Sequence, residues 1–288
     1  MKPFTFLEPS TLTDAVNSLA EHGSSAMVIS GGQSLLLAMK KRTLCPEVLI
    51  SVSKIKELNG VSYDADDNLV VGAATTYFTL QNQTLKPGPH QLLSQCAGDL
   101  ADIAVRYMGT VGGSICQAGH RFDFPALALA LDGVLTLRSR AGERKVPVGE
   151  FIVGDQKTTI HSDEVLEAIT FKPNTANAWA FEKFRYRTFD AAMVSVTCHM
   201  TITNDGSVQS PVIVVGAAGA RAVRATAAES VINGAPLTDQ AVMAAGEAAM
   251  TEVEPIDYVP FGSKAYKSEL VRSLVKRALI QAKLKAGA

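Results

Sequence analysis

Cysteine is scarce in this 288-residue chain and never spaced as a ligand set: Cys45, Cys96, Cys116 and Cys198 stand far apart, with no C-x-x-C pair. A disulfide framework, a zinc knuckle and a cysteine-held iron–sulfur cluster therefore all lack the spacing they require. The four are read as reduced core or subsurface thiols. An excess of one charge is also missing. The 27 Lys+Arg against 28 Asp+Glu leave a formal net charge of -1, which offers no broad positive field for the phosphates of a nucleic acid. No apolar run approaches the ~18–20 residues of a membrane helix. Met1-Lys2-Pro3-Phe4 leads into Thr5, Glu8 and Pro9 rather than into a signal-peptide core, so a cytoplasmic address is expected.

Other absences bear on chemistry. Neither G-x-G-x-x-G nor G-x-x-x-x-G-K-[ST] occurs, which argues against a Rossmann dinucleotide fold and a P-loop NTPase. No Ser/His/Asp, Cys/His or H-E-x-x-H arrangement occurs either. His22, His90, His120, His161 and His199 are isolated in the sequence, so no catalytic residue and no metal site is expected in this chain. His120 stands apart from the others only by its position in a loop.

What is present is a 47% hydrophobic chain whose length suits about two domains at ~100–200 residues each. Phe4-Thr5-Phe6 alternates as a short strand. Ser10 or Thr11 can cap a helix carrying Leu12, Val16 and Leu19 that ends at Gly23. Ala26-Met27-Val28-Ile29 reads as a buried strand running into Ser30-Gly31-Gly32-Gln33-Ser34, with an apolar helix and the strand Val48-Leu49-Ile50 behind it. This is a small β-α-β unit with a glycine turn at a strand end. From about residue 68 the pattern repeats on a larger scale: strand Leu69-Val70-Val71, a helix capped by Thr75 or Thr76, helical residues 90–105, and a second glycine turn at Met108–Ser114. Strands follow at 134–137 and 165–171, and 173–177 is a linker candidate. The last third reads as strands at 178–186 and 193–203, a hairpin at Asn204-Asp205-Gly206 into 212–215, and helices near 222–233, 238–250 and 263–285. On the last helix Val271, Leu274, Ala278 and Ala282 form an apolar stripe beside a basic face, which is either solvated or a docking face for a partner.

The two glycine turns are the features most able to carry chemistry. A glycine-rich turn after a strand exposes backbone N–H groups, and a missing side chain lets a phosphate approach the main chain. Gly31-Gly32 and Gly112-Gly113 each sit on their own β-α segment, which suggests two loops converging on one pyrophosphate, with Ser34, Thr110 and Ser114 supplying hydroxyl donors.

Ser30-Gly31-Gly32-Gln33-Ser34-Leu35 resembles an A-G-G-[HQ]-S-L loop, and Thr110-Val111-Gly112-Gly113-Ser114 with Asp123-Phe124-Pro125-Ala126 resembles a T-[IVL]-G-G-[NS]…D-[LM]-P-A segment. Both belong to the FAD-binding medium subunits of molybdenum hydroxylases, the carbon monoxide dehydrogenase and xanthine dehydrogenase family. The spacing between the loops, the length and Glu182-Lys183…Asp190 agree, so the resemblance spans nearly the whole chain.

The resemblance implies an α+β fold: a two-subdomain FAD-binding α/β domain of the PCMH type over 1–60 and 61–175, then a C-terminal domain of small antiparallel sheet plus helices over 178–288. It implies that Ser30, Gly31, Gly32, Gln33 and Ser34 with Thr110, Val111, Gly112, Gly113 and Ser114 wrap the pyrophosphate and ribityl chain of non-covalent FAD. Asp123 would accept from cofactor hydroxyls or fix the second loop. Partners follow from the same resemblance: a large molybdenum-pterin subunit and a small [2Fe–2S] subunit, as a dimer of heterotrimers, with this chain passing electrons from the clusters to an external acceptor. Gln33 in place of His leans toward N-heteroaromatic hydroxylases of the caffeine, nicotine or quinoline type. The chain departs from the family at Gly119-His120, at Asp190-Ala191 where Asp-Tyr is common, and at Met193 where xanthine dehydrogenases have Lys. These departures leave the flavin cover to Tyr107, Phe122, Phe124 or Phe189, and favour a quinone, oxygen or cytochrome acceptor over NAD. A stand-alone flavin-dependent oxidoreductase of the same superfamily, or a subunit that has kept the fold and lost FAD, are the competing readings.

Overall fold

Short helices with side-chain caps and short strands make up most of the chain. The computed structural model describes residues 1–257 and 262–287. They group into two units, Met1–Gln83 with Asp102–Ala118 and Asp132–Pro173, and Thr84–Ala101 with Gly119–Leu131 and Asn174–Ala288.

In the first unit, β1 (Thr5–Leu7), β2 (Ala26–Ile29) and β3 (Val48–Ser51) form a sheet in the order β1-β3-β2 with both pairs parallel. The expected strand at 4–6 is displaced by one residue, because Phe4 and Phe6 are exposed and Leu7 is the residue packed against the core. Between β1 and β2 the Leu12–His22 helix begins at Thr11, whose hydroxyl accepts the N–H of Asp14, and ends at Gly23 with φ 53. Its buried residues Leu12, Ala15, Val16 and Leu19 recur at i, i+3, i+4 and i+7 and lie in one cluster with Val48 and Ile50.

The second sheet of this unit is built differently from the expected repeat. Strands β4 (Val61–Tyr63), β5 (Leu69–Gly72), β6 (Val134–Ser139) and β7 (Gly142–Pro147) precede a two-stranded ribbon, β8 (Ile152–Gly154) and β9 (Lys157–Thr158), and then β10 (Val165–Phe171). Five of them pair antiparallel in the order β4-β5-β10-β6-β7. Tight hairpins make this so: the Asp64 carboxylate accepts the N–H groups of Asp66 and Asn68, and Gly142 with φ 126 turns β6 into β7. The helix expected through 90–105 is two helices, Gln91–Gly98 and Ile103–Met108. Ala101 takes φ 45 and Asp102 caps the second helix by accepting the N–H of Val105 at 2.9 Å. The chain passes from the second unit back to the first at that break.

In the second unit β11 (Ala178–Phe184), β12 (Val194–Ile202), β13 (Val208–Gly216) and β14 (Val223–Arg224) form an antiparallel sheet in that order. The helices Thr226–Ile232, Asp239–Glu252 and Lys264–Ala286 cover it. The stripe Val271, Leu274, Ala278 and Ala282 is at most 1% exposed and forms part of this core. The stripe supplies the apolar burial that holds the helix to its sheet. Arg277, on the same helix, pairs with Glu182 at 2.9 Å.

Candidate cofactor site

The two glycine turns lie in one unit and touch. A Cβ added to Gly31 would stand 1.9 Å from the carbonyl oxygen of Met108 and 2.9 Å from the Cα of Gly109, so only glycine lets the first turn rest on the backbone that leads into the second. The convergence expected of the loops is a backbone contact.

Their hydrogen bonding differs. After β2 the chain bends at Ser30 and Gly31, passes through Gly32 with φ 69, and enters the Leu35–Lys40 helix. The N–H groups of Gly31, Gly32, Gln33 and Ser34 make no hydrogen bond among the described residues. These four residues are half-buried or exposed. The Ser30 hydroxyl is buried and without a partner among the described residues. The Gln33 side chain donates to the Gly31 carbonyl at 3.3 Å, folding over the turn.

The second segment is a capped helix, Val111–Gln117, rather than an open turn. Its first donors are all engaged: Val111 N–H with Thr75 O at 3.1 Å, Gly112 N–H with Ala73 O at 2.9 Å, Gly113 N–H with Thr110 Oγ1 at 3.1 Å, and Ser114 N–H with Thr110 O at 3.1 Å. The backbone N–H role expected of 110–114 is corrected for 111–114, because the orphan donors of this helix start have already been met by the cap and by the Ala73–Thr75 turn that follows β5. Gly112 is required for packing, since a Cβ there would meet Ala73 Cβ and O at 2.6 Å. Gly113 is exposed, and a Cβ there would approach only Thr110 Oγ1, at 2.9 Å. Gly113 therefore leaves the start of the helix without a side chain at its surface, and Thr110 and Ser114 beside it are buried.

Asp123 belongs to the second unit, at the first turn of the Asp123–Ala130 helix. It is 4% exposed. Its Oδ2 accepts from Lys183 Nζ at 2.8 Å, and its Oδ1 is buried with no partner among the described residues. Burial pushes this carboxyl above its ordinary range, an effect that the Lys183 ammonium opposes. Lys183, Asp99 and Arg185 are absent from the residues that the sequence singled out for the site. A lysine midway along a strand between Phe181 and Phe184 was the available signal, but its partners lie 60 and 84 residues away.

Of the aromatics considered as a flavin cover, Phe124 is 0% exposed and is core. Tyr107 stacks on Phe78 with centroids 3.9 Å apart, Phe122 is half-buried, and Phe189 is 63% exposed. Met193 is buried. Arg121 donates to the carbonyls of Ala191 and Ala192 at 2.7 and 3.0 Å, anchoring the segment where Ala191 stands. Cys96 and Cys198 are buried, and burial pushes the thiols of Cys116 and Cys198 up to about 12. Among the described residues no group of three or more His, Cys, Asp or Glu could hold a metal, and no helix is long and apolar enough to cross a membrane.

The family profile described as the FAD binding domain in molybdopterin dehydrogenase matches residues 2–173, and that of the CO dehydrogenase flavoprotein C-terminal domain matches residues 179–282. The chain belongs to the FAD-binding medium subunits of the molybdenum hydroxylases. It is 32% identical to the carbon monoxide dehydrogenase medium chain of Hydrogenophaga pseudoflava, over 96% of each chain. It is 29% identical to the 6-hydroxypseudooxynicotine dehydrogenase complex subunit alpha of Paenarthrobacter nicotinovorans, over 98% of this chain and 96% of that one. Among solved structures, carbon monoxide dehydrogenase from H. pseudoflava superposes with a TM-score of 0.93 at 33% identity, covering 99% of this chain and 98% of that one. Quinoline 2-oxidoreductase from Pseudomonas putida 86 superposes with the same score at 27% identity and the same coverage.

FAD is the cofactor of this family subunit, and the residues present fit it. Four unengaged N–H groups at a glycine turn suit a pyrophosphate, and the buried Ser30 hydroxyl beside them, unpartnered among the described residues, is a polar atom whose burial is costly until a ligand satisfies it.

Proposed function

We propose that this chain is the FAD-carrying electron-transfer subunit of a molybdenum-containing hydroxylase complex, working beside a large molybdenum-pterin subunit and a small [2Fe–2S] subunit in a dimer of heterotrimers. The observation that carries the reading is the open first turn, Gly31–Ser34, seated on the backbone ahead of a second glycine pair. When bound, FAD supplies the redox chemistry, and the protein supplies binding, orientation and electrostatics.

In this reading the N–H groups of Gly31, Gly32, Gln33 and Ser34 hold the pyrophosphate. Gly113 lets the cofactor approach the start of the Val111–Gln117 helix, with Thr110 and Ser114 offering hydroxyls there. Asp123 Oδ1 accepts a cofactor hydroxyl. Val111 serves by packing, being 0% exposed. The three sequence segments 1–60, 61–175 and 178–288 serve as two cofactor-holding parts and a C-terminal part. The sequence offers no flavin-linking His or Cys motif, so acid should release the flavin. The substrate oxidised by the complex is an N-heteroaromatic compound in this reading, which rests on Gln33 and on relatives such as the nicotine 6-hydroxylase medium subunit of P. nicotinovorans, 27% identical over 96% of each chain.

Co-expression tests the reading. The chain alone should hold FAD yet reduce no dye with an N-heteroaromatic substrate, and the co-purified complex should reduce it. Turnover by the isolated chain, or failure to co-purify with an iron–sulfur protein, would replace the reading with the stand-alone flavoenzyme.

A further inference from the structure

The Leu35–Lys40 helix of the first unit buries only Met39. Leu37 on it is 57% exposed, and Leu44 just beyond it is 42% exposed. Between the two leucines Lys40, Lys41 and Arg42 are all exposed. Their side chains make no ion pair or hydrogen bond among the described residues, whereas Lys54 of the same unit is paired with Glu8 at 2.9 Å. The backbone at this helix end is also unusual. Thr43 N–H donates to Ala38 O at 3.0 Å and Arg42 N–H to Met39 O at 3.1 Å, the double closure that normally places glycine at its left-handed position. That position is held by Arg42, with φ 61, where a side chain is strained. The helix dipole favours a cation at this end, and Lys40 and Lys41 already meet it. The fold gives no reason for arginine over glycine at 42, so the strain points to something outside the chain that the guanidinium meets.

We propose that Leu37, Lys40, Lys41, Arg42 and Leu44 dock an acidic protein surface, that of the [2Fe–2S] subunit which delivers electrons to this chain. The proposal rests on the functional reading above, which supplies that partner. Charge complementarity selects it: three unpaired cations between two apolar side chains fit carboxylates set around an apolar patch. A [2Fe–2S] cluster held by cysteine thiolates adds negative charge of its own. Position selects it as well. The helix has six residues, about 9 Å at ~1.5 Å per residue, so a donor seated at its far end stands close to the turn assigned to the FAD pyrophosphate. The number of cations disfavours other anionic surfaces. Polybasic membrane segments carry about four to eight Lys/Arg, and firm nucleic-acid binding draws on about six to ten phosphate contacts. This stretch has three cations in a chain of formal net charge -1.

The test is the dissociation constant of the immobilised full chain for the purified iron–sulfur subunit and, separately, for the molybdenum subunit, across salt concentrations. Wild-type affinity for the iron–sulfur subunit should fall as salt rises. K40E/K41E/R42E should weaken it about tenfold or more at low salt and flatten the salt dependence. L37Q/L44Q should weaken it at every salt concentration. Neither variant should lose bound FAD, because all five side chains are exposed. R42G is the sharper probe: glycine suits φ 61, so the thermal midpoint should rise while affinity falls. Equal affinity in the wild type and K40E/K41E/R42E, or a loss confined to the molybdenum subunit, would overturn the proposal. Wild-type binding to phosphatidylserine vesicles or duplex DNA that the triple variant abolishes would overturn it too, in favour of a membrane or a nucleic acid. A wild-type chain that binds no iron–sulfur protein at any salt would overturn the functional reading and this proposal with it, a result distinct from binding that the triple variant retains.

Discussion

The two glycine pairs look interchangeable in sequence and serve opposite purposes. At Gly31-Gly32 the glycines create an open turn: one permits contact with the Met108 carbonyl, the other takes φ 69, and the four N–H groups that follow stay unengaged. At Gly112-Gly113 the backbone is helical and its donors are spent on Thr110, Ala73 and Thr75. Gly112 is there for tight packing on Ala73, and Gly113 for an unobstructed surface. Glycine is thus selected by conformation in one turn and by volume in the other. The unengaged donors therefore belong to the first turn.

The largest expected effect comes from Gly31→Ala. Its Cβ would collide with backbone that cannot swing aside, so the variant should lose FAD and also about 1–3 kcal/mol or more of stability by overpacking, seen as a lower thermal midpoint of the apoprotein. Gly112→Ala should cost a similar ~1–3 kcal/mol by pressing on Ala73, while FAD affinity measured well below the melting point falls much less than in Gly31→Ala. If Gly112→Ala loses FAD and keeps its stability, the division of labour between the pairs is wrong. Thr110→Val should remove the cap that accepts the Gly113 N–H and cost ~1 kcal/mol, again chiefly in stability. Gly113→Ala is the smallest structural change. The added Cβ would press the Thr110 cap hydroxyl at 2.9 Å, so the melting midpoint should fall slightly, by less than in Thr110→Val, and FAD affinity should fall as well, because the added methyl sits on the exposed face of the helix start.

Much of the fold was legible because its signals are local. Thr11 and Gly23 bound the first helix, Thr76 caps Tyr77–Gln81, and Val165–Phe171 and Val194–Ile202 read directly as strands. The antiparallel second sheet was not legible, since short strands such as β4 and β7 are polar on one side and their partners are distant in sequence. The same holds for the site. The glycine pairs, Thr110 and Asp123 announce themselves by motif, whereas Lys183 and Asp99 meet across 84 residues and no sequence window contains both. The stripe on the last helix was legible as an apolar face but not in what covers it: helical spacing is the same whether a partner or the chain's own sheet does, and here it is the sheet.

The central claim is that the open Gly31–Ser34 turn receives a pyrophosphate. It is tested most directly by titrating the purified apoprotein with FAD, FMN and riboflavin, with the bound flavin then released by acid to check that it is non-covalent. The account predicts one FAD per chain, binding far more weakly by FMN, and little or none by riboflavin, with inorganic pyrophosphate competing against FAD. Riboflavin binding as tight as FAD, or FAD binding unaffected in a folded Gly31→Ala variant, would contradict it.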